Sequence, residues 1–136
     1  MCCNEIQDFG PNPLVINLNR VTAINRNFRT ALWTGEHLQM TLMEIKVGET
    51  IGLEKHEDVD QFLYILSGYG QVRMGNCESC LDYRRQATAG FGVFIPAGTY
   101  HNLLNVGNVP IKLFSIYAPP NHPKGTVDVT KLDAQD

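Results

Sequence analysis

Four residues of this chain have the types and spacing that would hold a metal ion. Glu54 and His56 stand two apart in a stretch that reads as a strand, so their side chains leave the same face. Gln61 opens the next strand after the turn Glu57-Asp-Val-Asp60, and a hairpin there would bring all three to one point. Much later, Gly90-x5-Pro96-x-Gly98-x2-His101-x3-Asn105 reads as a strand, a Pro-Gly turn and a histidine that a second hairpin can aim at the same place. Two imidazoles, one carboxylate and an amide suit a single borderline-to-hard divalent ion: Fe, Mn, Ni, Co or Zn. The absence of thiolate from the set argues against soft-metal chemistry.

Each residue also has an ordinary role to weigh against this one. A lone strand histidine is usually structural, but His56 and His101 both fall in ligand slots, which His37 does not. The alternation that turns Lys55 outward turns Glu54 inward, where a carboxylate needs a cation. Gln61 either binds through its amide oxygen or holds a metal-bound water. Trp33, Tyr117 and His122 would line the barrel mouth and contact a substrate, although a strand tryptophan, a strand-end tyrosine and a loop histidine also serve plain packing. Cys77-x2-Cys80 has the spacing of half a zinc site, but the adjacent pair Cys2-Cys3 is not the usual second half, so a plain loop is expected there.

These side chains must be positioned by strands. Short β-branched and aromatic runs alternate with Gly, Pro and Asn punctuation, and no sustained helical stripe appears, so the chain reads as nearly all β. Strands are expected over 28–33, 38–47, 53–56, 61–66, 71–74, 91–95, 102–105 and 111–117, a count that suits a barrel or sandwich. The stretch Leu14 to Ile16 is too short to assign. Residues 118–125, rich in proline, should form a rigid loop on the barrel rim. In Gln61-Phe-Leu-Tyr-Ile-Leu66 both faces are apolar; Leu63 and Ile65 can point inward, while Phe62 and Tyr64 need cover from another element or a second subunit. A homodimer is therefore expected.

With 136 residues, 43% of them hydrophobic, the chain can build one core, so a single domain over 1–136 is expected. The net charge is −3 and the 11 Lys and Arg residues are scattered, which argues against a nucleic acid partner. Apolar runs such as Phe62 to Leu66 are far too short to span a membrane. The N-terminus lacks the basic and apolar regions of a signal peptide, so a soluble cytoplasmic protein with its four cysteines as free thiols is expected.

The two motifs resemble those of the cupin superfamily. Its first motif runs glycine, five residues, His-x-His, three or four residues, glutamate, six residues, glycine; its second is the Gly-Pro-Gly-His-Asn pattern quoted above, matched here at every position. The first is matched in spacing by Gly48, Glu54, His56, Gln61 and Gly68, but Glu54 stands where the pattern has histidine and Gln61 where it has glutamate. The net charge of the set is unchanged, because the carboxylate has moved rather than vanished. The resemblance covers about residues 38–117 and implies an all-β double-stranded β-helix, the jelly-roll cupin barrel, with one divalent metal ion held by Glu54, His56, Gln61 and His101. Phe28-Arg-Thr-Ala-Leu-Trp-Thr-Gly35 and Tyr117-Ala-Pro-Pro are most similar to the small cupins described as mannose-6-phosphate-isomerase-like.

Three or four protein ligands leave positions of an octahedral ion open to a small substrate with adjacent oxygens. Polarisation of a carbonyl at such an ion acidifies the neighbouring C–H, which points to an isomerase or related lyase acting on a sugar-like or hydroxycarbonyl compound, with Glu54 as the base if it stays off the metal. A metal-dependent dioxygenase and a non-catalytic small-molecule binding module are the alternatives.

Overall fold

A computed structural model describes residues 6–134. Among them are one short α-helix, α1 (Leu18–Ile24), a 3-10 turn (Lys131–Asp133) and nine strands: β1 (Arg29–Thr34), β2 (Gln39–Ile45), β3 (Asp60–Ser67), β4 (Tyr69–Gly75), β5 (Tyr83–Thr88), β6 (Gly92–Ile95), β7 (Tyr100–Asn105), β8 (Ile111–Ala118) and β9 (Val127–Asp128). They form two antiparallel sheets, a six-stranded one in the order β6-β3-β8-β2-β1-β9 and a three-stranded one in the order β5-β4-β7. No helix of the described residues is long and apolar enough to cross a membrane.

The inward positions of the large sheet change character along the strands. Register aligns Ile65 with Leu113 and Leu113 with Met43, then Leu63 with Ser115 and Ser115 with Thr41, then Gln61 with Tyr117 and Tyr117 with Gln39. The first row is apolar and belongs to the main core, together with Ile45, Val72, Leu103 and Ile111. The last row is entirely polar or amphipathic, yet all three of its residues are buried. Fully burying an aliphatic side chain contributes about 1.5–3 kcal/mol, so the apolar end holds the sheets together. The polar end forms a mouth whose groups need partners.

The helix and two strands were not expected. Asn17 caps α1 by accepting from the Arg20 N–H at 3.1 Å, and the helix buries Val21 against Leu32 and Leu42 on the outer face of the large sheet. That explains why β2 is buried on both faces. Of the outward aromatics, Tyr64 stacks on Phe114 with centroids 5.2 Å apart, and Phe62 packs on Phe94 at 4.7 Å. Strand β5 is an exposed edge strand whose buried residue is Ala87, so it carries no alternating apolar signal. Strand β9 is held to β1 by the buried Arg29, whose guanidinium donates to Asp128 at 3.2 Å.

Three expectations are corrected. Residues 53–56 form no regular strand: Thr50 bridges Leu104 and Glu54 bridges His101, so four steps on one side oppose three on the other. The extra residue is absorbed as a bulge near Gly52, whose φ of +104° favours glycine. Neither motif forms a hairpin, because each crosses between the sheets. Glu54 is bridged to β7 and Gln61 lies in β3, while β6 pairs with β3 and β7 with β4. Finally, Cys77 and Cys80 are joined in a disulfide rather than held as free thiols, because the turn between β4 and β5 brings their Cα atoms within 5.1 Å. Cys2 and Cys3 lie outside the described residues.

Candidate metal centre

The two crossings meet at the polar end of the barrel. Across the Glu54–His101 bridge, the Glu54 N–H donates to the His101 carbonyl at 3.0 Å and the His101 N–H donates to the Glu54 carbonyl at 2.9 Å. Directly opposed residues of an antiparallel pair send their side chains to the same face. His56 is fixed by its own backbone, its carbonyl accepting from the Gly98 N–H of the Pro-Gly turn at 2.7 Å. Gly98 has a φ of +80°, the conformation that such a turn requires.

Glu54 Oε1 lies 3.3 Å from His56 Nε2 and 3.9 Å from His101 Nε2, and one ligand atom from each of the three residues falls within 4.8 Å of the others. Donors around one ion with bonds near 2.1 Å stand about 3 to 4 Å apart, and both distances from Glu54 Oε1 fall in that range. Both Nε2 atoms are buried and make no hydrogen bond. His101 Nδ1 lies 3.0 Å from the Thr99 carbonyl; donation to that oxygen places the lone pair on Nε2. Burial holds His101 below the ordinary histidine range and the nearby His56 adds to this, against the raising effect of the Thr99 carbonyl. A neutral imidazole is the form that binds metal. Lys55 points outward, 2.7 Å from Glu57 and over the Tyr100 ring.

Gln61 is buried on β3, opposite Tyr117 on one side and Ile95 on the other. Its amide N–H donates to Ser115 Oγ at 3.0 Å, and its Oε1 is buried without a hydrogen bond. Glu54, His56 and His101 fit a divalent ion: two imidazole nitrogens without another hydrogen-bond partner converge on a carboxylate. Gln61 adds a buried amide oxygen that likewise has no hydrogen bond.

Tyr117 lies edge-on to His56, with centroids 6.1 Å apart, and its hydroxyl is 3.3 Å from His122 Nε2. Burial pushes the Tyr117 phenol up, as does the charge of Glu54; Arg29, Ser115 and Thr41 pull the other way. The phenol therefore stays protonated. His122 is delivered by the loop after β8, which Gln39 clamps: Gln39 Oε1 accepts from the N–H groups of Asn121 and His122 at 3.0 and 2.9 Å, and its amide donates to the His122 carbonyl at 2.8 Å. Sequence reasoning missed Gln39, Ser115 and Thr99 as supports of the site. Only the register of Gln39 beside Tyr117 and the hydrogen bonds of Ser115 to Gln61 and of the Thr99 carbonyl to His101 single them out.

Trp33 is placed elsewhere. Its indole N–H donates to the Asn12 carbonyl at 2.7 Å, and it lines a surface cleft together with Leu14, Ile16 and Leu18. An apolar cleft of about 290 Å³ between β5 and β6, lined in part by Val72, Met74, Tyr83 and Phe91, is also separate from the ligand cluster.

Comparison with known proteins agrees with this fold. The cupin domain family (Cupin 2) matches residues 41–117. The uncharacterized protein YrkC of Bacillus subtilis is 55% identical over 129 residues, which is 95% of this chain and 69% of that protein. The crystal structure of BH2720 from Bacillus halodurans superposes with a TM-score of 0.93 at 52% identity, covering 94% of this chain and 97% of that one. Two more distant structures share the fold: a candidate sugar phosphate isomerase from Acidithiobacillus ferrooxidans (TM-score 0.53, 22% identity, 62% of this chain and 51% of that one) and a predicted oxalate decarboxylase from Thermotoga maritima (0.54, 24%, 60% and 66%). With both motifs inside the matched segment and two antiparallel sheets around them, the chain belongs to the cupin family.

Proposed function

We propose that this cupin binds one divalent metal ion through Glu54, His56, His101 and Gln61 and uses it in isomerase or lyase-type chemistry on a small oxygen-rich substrate. The observation that carries the reading is the convergence of the two hydrogen-bond-free Nε2 atoms on Glu54 Oε1. When bound, a divalent ion supplies Lewis-acid polarisation of a carbonyl oxygen. The chain supplies the rest. Tyr117, kept protonated, donates to a substrate oxygen beside His56, and His122 is within reach to pass a proton to or from the phenol. His56, whose side chain is 14% exposed against 5% for Glu54 and 2% for His101, is the side from which a substrate enters. Two neighbours that share the fold are described as a candidate sugar phosphate isomerase and a predicted oxalate decarboxylase, so the fold is compatible with this substrate class without choosing within it.

The test is solvent exchange. Metal-loaded protein is incubated in D2O with a panel of sugar phosphates and hydroxycarbonyl compounds, and deuterium entering next to the carbonyl is followed by NMR. Exchange that disappears in Tyr117→Phe supports the proposal. Oxygen uptake without exchange would replace it with the dioxygenase reading, and saturable binding without turnover would replace it with the binding module.

The homodimer belongs to the same proposal. Phe94, 74% exposed on edge strand β6 and packed on Phe62, is the group a second copy would cover. Gel filtration at the mass of two chains, lost in Phe94→Glu, is the expected result; a monomeric parent removes the dimer.

A further inference from the structure

The disulfide between Cys77 and Cys80 lies at the tip of the β4–β5 hairpin, outside the metal centre. A structural staple is a poor account of it. The ladder from Tyr69 opposite Thr88 to Met74 opposite Tyr83 already closes the hairpin, and a cross-link between residues three apart removes little chain entropy. The backbone also holds the two cysteines close: the Cys80 N–H donates to the Cys77 carbonyl at 3.1 Å, and a Cβ on Gly75 would collide with the Cys80 carbonyl. Both cysteines are partly exposed and lie beyond the last ladder pair, so the bond can open without breaking a strand hydrogen bond and an attacking thiolate can reach it.

We propose that Cys77 and Cys80 form a reversible thiol–disulfide exchange site whose reaction partner is a dithiol. One thiolate of the partner attacks either sulfur, the Cys77–Cys80 bond breaks, and the departing cysteine takes a proton from water. The partner's second thiolate then displaces the first protein sulfur, which is protonated in turn. The partner leaves as a disulfide, oxidised by two electrons, and the protein gains two thiols.

The full-length chain, and in parallel a Cys2→Ser, Cys3→Ser variant, is equilibrated over a series of reduced-to-oxidised dithiothreitol ratios. Thiols are trapped with a maleimide and assigned by peptide mass spectrometry. Cys77 and Cys80 should gain label together, passing from one-tenth to nine-tenths reduced over a roughly hundredfold change in the ratio, with unchanged circular dichroism. Independent labelling of the two, pairing of either with Cys2 or Cys3, or a bond that opens only when the protein is unfolded overturns the proposal. So does reduced protein carrying zinc on these thiolates, read by elemental analysis of Cys77→Ser, Cys80→Ser against the parent.

Discussion

His101 has its two ring nitrogens committed to different tasks, one to the Thr99 carbonyl and the other to the cluster with Glu54 and His56. Gln61 divides its amide in the same way, the nitrogen on Ser115 and the oxygen facing the barrel interior without a hydrogen bond. If Ser115 orients that oxygen as a ligand, Ser115→Ala should weaken metal affinity by about 10- to 100-fold while circular dichroism is unchanged. Isothermal titration with the metal checks this, and an unchanged affinity would move Gln61 out of the ligand set. That Glu54, His56 and His101 would come together could be read from the sequence because two motifs placed scarce residue types in fixed slots. Trp33 could not be excluded in the same way, because nothing local announces that the N-terminal segment folds back to meet its indole.

At the scale of elements, the mouth depends on connections as much as on strands. Gln39 ties the loop after β8 to β2 through three hydrogen bonds and so presents His122 to Tyr117. Gln39→Ala would leave two N–H groups without their acceptor, and should cost about 2 kcal/mol of stability in urea unfolding. It should also open residues 119–125 to limited proteolysis; a loop as resistant as the parent's would mean that its prolines suffice. Runs of β-branched and aromatic residues between turn signals revealed β3 and β8, but not β5, whose side chains are mostly polar and exposed, nor α1, which at seven residues is too short for a periodic stripe. The mistaken hairpins have one physical source. Turn signals such as Pro96 and Gly98 mark where the chain bends, but whether it returns to the same sheet depends on partners far away in sequence.

For the whole molecule, Asp8 joins the N-terminal segment, β1 and the C-terminal loop, accepting from the Gly10 N–H, the Thr34 hydroxyl, the Gly125 N–H and Lys124 Nζ. Burial by itself would raise this carboxyl, but the bonds from Thr34, Gly125, Gly10 and Lys124 outweigh it and hold the group below 3.8. Because the folded value is depressed, the stability from ionised Asp8 is fully present above 3.8 and is lost as pH falls through the folded value. Asp8→Asn should therefore cost about 1–3 kcal/mol at pH 7, and the gap from the parent should narrow at pH 3. A gap independent of pH, measured by urea unfolding, would contradict the role of the charge. The change from apolar core to polar mouth along β2, β3 and β8 places the cluster at one end of the barrel, and that placement makes metal binding the central claim. Elemental analysis of protein made without an affinity tag, compared with a His56→Ala, His101→Ala variant, tests it most directly. Near-stoichiometric metal in the parent and almost none in a folded variant is the predicted result; a parent that is metal-free and cannot be loaded would contradict it.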